Sequence, residues 1–82
     1  MSKKSDMVYQ PDHYARWTIE PIEFIMRNEL DFASGNAVKY ITRAGYKQYD
    51  DLSMEESAIR DLDKAIRYLE MRKNLLTGED KL

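Results

Sequence analysis

The sequence predicts an all-α fold: a small three-helix domain with a long C-terminal helix, its core completed by homo-oligomerisation. Three observations carry that prediction. Ser53-Met54-Glu55-Glu56 fits a capping box, in which the hydroxyl of the first residue and the carboxylate of the fourth satisfy each other's backbone N–H groups. Behind it Ile59, Leu62, Ile66, Leu69 and Leu76 recur at alternating spacings of three and four, the repeat of one helix face, broken at Lys73. The chain has 82 residues and no cysteine. A chain of that size buries only about 60% of its unfolded surface, and without a disulfide or thiolate metal site it gains further burial from a partner chain.

The elements follow in order. Residues 1–12 are polar and end in Gln10-Pro11-Asp12, where proline biases its predecessor to an extended conformation, so an N-terminal arm is expected ahead of a single helical domain over 13–77. The first helix is expected from Pro21, a residue suited to a first turn, to about Glu29, with Ile19, Ile22, Ile25, Met26 and Leu30 as its apolar stripe. The second runs from Asp31 as N-cap to Gly45, burying Ala33, Ala37, Val38, Ile41 and Ala44. Gly35 lies inside its first turns at a cost of up to about 1 kcal/mol against alanine, which points to a closely packed neighbour or a ligand approaching the backbone. The third opens at the capping box and runs to about Leu76, with Ala58 and Ala65 widening its stripe, before Thr77-Gly78 stops it. It is about 35 Å long at 1.5 Å per residue and outreaches the two shorter helices, so its far end is expected to pack on another chain. Residues 78–82 read as a frayed tail.

Composition narrows the function classes. Thirteen basic residues against fifteen acidic ones leave a net charge of −2 and no global field for a phosphate backbone, so nucleic acid is an unexpected partner. One histidine excludes a multi-histidine metal site. No apolar run approaches the roughly 20 residues of a membrane span, and the opening Met-Ser-Lys-Lys-Ser-Asp has no apolar stretch of a signal peptide behind it; residence in the cytoplasm, away from membranes, is expected. There is no Gly-rich phosphate loop ending in Gly-Lys-Ser or Gly-Lys-Thr, no Gly-x-Gly-x-x-Gly turn and no nucleophile elbow.

The candidate chemistry is cationic. Lys39, Arg43 and Lys47 are four apart and on a continuing helix would present three cations to a polyphosphate, although a solvated basic stripe complementing the helix dipole fits the same spacing, and Gly45 places Lys47 past the helix end. Asp61, Lys64 and Tyr68 share one side of the long helix and put an acid, a base and a phenol within reach of one ligand; a surface ion pair with a half-buried tyrosine explains them equally. Glu55, Glu56, Asp61 and Asp63 supply carboxylates that could hold Mg²⁺ through its waters and a bound phosphate. His13-Tyr14, at the end of the arm, can stack on a base or give a proton near neutral pH. Glu20 and Glu23 flank Pro21 where negative charge suits a helix start.

Taken together, His13-Tyr14, Ile19-Glu20-Pro21-Ile22-Glu23-Phe24-Ile25, Asp31-Phe32-x-x-Gly35-Asn36-Ala37-x-Lys39-Tyr40-Ile41-x-Arg43-Ala44-Gly45-x-Lys47 and Asp61-Leu62-x-Lys64-Ala65-x-x-Tyr68-Leu69 resemble a bacteriophage family long designated a domain of unknown function, whose members often bear the label nucleotide kinase. The resemblance spans residues 13 to about 70. It implies an early phage protein of nucleotide metabolism in the cytoplasm of the infected cell, because a longer coliphage member phosphorylates deoxynucleoside monophosphates without a Walker motif. Residue by residue, it implies catalytic roles for Lys39, Arg43, Asp61 and Lys64, substrate binding by His13, Tyr14, Asn36, Lys47 and Tyr68, and Mg²⁺ near Asp61 if the protein is catalytic. Lys39, Arg43 and Lys64 would clamp phosphates. Arg43→Ala is then expected to abolish nucleotide binding and leave helicity and melting nearly intact. Two other classes are carried alongside: a non-catalytic module binding nucleotide or a host protein, and an all-α nucleoside triphosphate pyrophosphatase, whose Glu-x-x-Glu spacing Glu56 and Asp61 do not reproduce.

Overall fold

The computed structural model describes residues 16–78, and among them it contains three helices and no strand: α1 (Pro21–Arg27), α2 (Phe32–Arg43) and α3 (Met54–Thr77). Residues 1–15, which include the arm, His13 and Tyr14, and residues 79–82 lie outside the described residues. The all-α expectation holds, with helix ends within two residues of those expected.

Each boundary has a local cause. Pro21 occupies the first turn of α1, and the chain leaves α1 through Asn28 and Glu29, the latter at φ 53°. Asp31 caps α2: its Oδ1 accepts from the Ser34 N–H at 2.8 Å and its Oδ2 from the Ser34 hydroxyl at 2.9 Å. The same carboxylate meets Arg72 at 2.9 Å, which ties the start of α2 to the end of α3. Gly45, at φ 91°, turns the chain away after α2. Ser53 and Glu56 form both halves of the expected capping box, and Gly78 closes α3 in the left-handed conformation.

These bonds hold the Asp31 carboxyl below its ordinary 3.8, the Ser34 N–H being the chief cause and the Ser34 hydroxyl the next. A carboxyl with a lowered folded pKa adds stability above its unfolded value and loses it as pH falls through the folded one. Urea unfolding should therefore show wild type above Asp31→Asn at about pH 6 and the two converging below about pH 3; a gap that stays constant would mean the cap does not depend on the charge.

Helix α2 is the middle element, packing on α1 and more extensively on α3. Gly35 faces α1 so closely that a Cβ there would stand 2.8 Å from Ile25 Cγ2, which identifies the reason for glycine as close helix packing. Gly35→Ala gains about 1 kcal/mol of helix propensity but forces a β-branched side chain aside, at roughly 1–3 kcal/mol for overpacking. Thermal melting should show a loss for Gly35→Ala alone and a gain for the same change in an Ile25→Ala background.

The hydrophobic core is much narrower than the periodicity suggests. The buried apolar side chains among the described residues are Pro21 and three alanines, Ala33, Ala37 and Ala65, with Ser57 and Asp61 the most deeply buried side chains of α3. Ile41, expected to be buried, is exposed, as are Ile59, Leu62, Ile66, Leu69 and Leu76 of the α3 stripe and Ile19, Ile22 and Met26 of the α1 stripe. The molecule is a slab of 43 × 33 × 16 Å. Helices laid side by side in so thin a body meet through narrow seams of small residues and leave the flanks with the large side chains uncovered.

Candidate functional site

The α2–α3 seam ends in a polar knot at Asp61. Its Oδ1 accepts from the Tyr49 hydroxyl at 2.6 Å and from Arg43 Nη2 at 3.3 Å, and its Oδ2 from Arg43 Nε at 3.4 Å. The Asp61 side chain is 0% and the Arg43 side chain 10% exposed. Tyr49 comes from the loop between α2 and α3, and its backbone N–H donates to the buried Ser57 hydroxyl at 2.9 Å, which pins that loop to α3. The phenol is fully used: it donates to Asp61 and accepts from Arg43 Nη2 at 2.7 Å and from Lys64 Nζ at 3.1 Å.

Around this knot cations gather on two tyrosine rings. Arg43, Lys64 and Lys39 lie 4.8, 5.1 and 5.3 Å from the centre of the Tyr40 ring. Lys64, Arg60, Lys47 and Arg43 lie 5.0, 5.1, 5.4 and 5.8 Å from that of Tyr49. Tyr40 in turn stacks on Tyr68 at 5.9 Å and 8°, and Tyr68 meets the exposed Phe32 edge-on at 6.0 Å. The rings hold these cations by their negative faces and extend an aromatic surface from them. Five cations thus lie on the two rings, and Asp61, the carboxylate bonded within the cluster, is already paired with Arg43.

The structure thus brings Lys39, Arg43, Lys47, Asp61, Lys64 and Tyr68 together. Lys47 does fall past the end of α2, as Gly45 indicates, yet the loop returns it to the Tyr49 ring. Asn36 sits one turn before Lys39 and Tyr40, with its side-chain amide donating to the Phe32 carbonyl at 3.0 Å. Tyr49, Ser57 and Arg60 were not identified as site residues from sequence, and Tyr40 only as part of a motif. Tyr49 has no helical register with Asp61, so spacing gives no access to it. Beyond the cluster, Arg60, Lys64 and Arg67 also line a shallow groove of about 540 Å³ with Asp63 and Glu56.

Two expectations change. Arg43 clamps a buried carboxylate, so Arg43→Ala is now expected to lower stability rather than leave it nearly intact. The donor set does not fit Mg²⁺ held by Asp61: that carboxylate is buried with both oxygens bonded, Glu56 is engaged in the capping box, and among the described residues no group of three or more acidic, histidine or cysteine side chains is arranged to hold a metal.

The fold and the cluster define an all-α module that presents cations and aromatic rings on one side of a helix pair. The chain belongs to the family described as protein of unknown function (DUF3310), which matches residues 8–70. No curated protein and no solved structure matches it. No helix among the described residues is long and apolar enough to cross a membrane.

Proposed function

We propose that this is a phage nucleotide-metabolism protein that binds nucleotide phosphates through the Lys39–Arg43–Lys47–Lys64 side of the α2–α3 pair, and that it acts in the cytoplasm of the infected cell. The observation that carries the reading is the cation excess around Tyr40 and Tyr49, where Asp61 is the internal carboxylate and is already neutralised. Placing like charges side by side costs free energy that a bound polyanion recovers. Lys39, Lys47 and Lys64 hold the phosphates, Arg43 and Asp61 keep the cluster in position, and the aromatic rings of Tyr40, Tyr68 and Phe32 offer an apolar partner to a base. Asn36, His13 and Tyr14 are assigned by family resemblance to substrate binding.

Phosphoryl transfer needs positioned charge and an aligned acceptor more than covalent chemistry by the protein, so a Walker-less nucleoside monophosphate kinase fits such a cluster. The second reading is a non-catalytic module that holds a nucleotide or a host protein, and the commitment of Asp61 to Arg43 and Tyr49 favours it, since that carboxylate is unavailable as a base. Purified protein incubated with Mg²⁺, labelled ATP and a panel of deoxynucleoside monophosphates separates the two. Diphosphate formed by wild type and lost in a folded Lys64→Ala variant means a kinase; nucleotide binding without product means a binding module; neither binding nor product rejects the proposal.

A further inference from the structure

We infer that α3 is the seam of an antiparallel, two-fold dimer with a second copy of this chain. Ile59, Leu62, Ile66 and Leu69 are 59, 44, 53 and 45% exposed. At about 100° per residue they form one stripe, well round the helix from Ser57, Asp61 and Ala65, which face α2, and opposite Lys64. Their spacing of three, four and three is the seam of a coiled coil, and a large apolar stripe of that kind marks an interaction surface.

The stripe itself names its occupant. Ile59 and Leu69 lie five residues either side of position 64, and Leu62 and Ile66 two either side. A two-fold axis there sets Ile59 against Leu69 of the second copy and Leu62 against its Ile66, the self-complementary contact of an isologous dimer. Glu55 and Lys73 continue the same stripe nine residues either side; both are exposed, and neither makes an ion pair among the described residues. Antiparallel pairing sets Glu55 against Lys73 of the second copy at both ends of the seam. Parallel pairing would set glutamate against glutamate and lysine against lysine, which is repulsive. The cation cluster on the opposite side of α3 stays open in such a dimer, so this inference does not depend on the proposed ligand.

The chain has no cysteine, so Glu55→Cys and Lys73→Cys can be made in the full chain and oxidised separately and as a mixture. A covalent dimer is expected from the mixture and from neither variant alone, because like positions stand about 27 Å apart along the seam. In sedimentation velocity, wild type is expected as a dimer and Leu62→Glu as a monomer with unchanged helicity. The inference is overturned by a monomeric wild type, by Leu62→Glu remaining dimeric, by no cross-link in the mixture, or by either cysteine variant cross-linking with itself.

Discussion

Arg43→Ala is expected to lose most of the stability of the domain. The substitution leaves the Asp61 carboxylate fully buried with the Tyr49 hydroxyl as its remaining strong partner, and it also takes a donor from that hydroxyl. Removing one member of a buried ion pair costs about 3–5 kcal/mol. A domain of this length holds roughly 4–12 kcal/mol in all, so the variant melts far below wild type or fails to fold. The pair itself is a poor source of net stability, since apolar residues of similar volume often do as well as a buried ion pair. The double variant Arg43→Met/Asp61→Leu should therefore be considerably more stable than the sum of the two single changes. Chemical unfolding of the four proteins checks this, and strict additivity would mean that Arg43 and Asp61 are not coupled.

The second large effect concerns the ligand. Lys39 is half-buried over Tyr40, and Lys64 is half-buried between Tyr40 and Tyr49. Neither neutralises a buried charge, because Arg43 does so for Asp61. Replacing either by alanine should change stability by no more than about 1 kcal/mol, the usual scale for one hydrogen bond or an exposed cation–aromatic contact. A hydrogen bond to a charged group is worth about 1.5–3 kcal/mol, so each lysine lost from a phosphate site should weaken nucleotide binding roughly ten- to hundredfold. Arg43→Ala removes both fold and site, while Lys39→Ala and Lys64→Ala separate them.

Where the physics is local, the sequence was legible. The Ser53 box, the Asp31 cap, Pro21 and the glycines after α2 and α3 each act within a few residues, and the helix ends follow from them. Gly35 was legible as a close approach, although the approaching Ile25 was not identified. Periodicity found the apolar stripe of α3 but not its partner: α2 packs instead on the flank that carries Ser57, Asp61 and Ala65, where small and polar residues allow close contact. A hydrophobic repeat says that a face will be covered and leaves open by what. At the site, helical spacing found Lys39 and Arg43 on one element and Asp61, Lys64 and Tyr68 on the other. What joins them is Tyr49, supplied by an irregular loop and held by Ser57, and no repeat encodes a contact of that kind.

The most direct test of the phosphate-binding reading is a calorimetric titration of a nucleoside triphosphate into wild type and into the Lys39→Ala/Lys64→Ala double variant, with helicity and melting recorded on the same samples. Wild type should bind saturably, and the double variant should remain folded with an affinity at least a hundredfold lower. Equal affinity in the two proteins, or no binding by wild type, would contradict that reading.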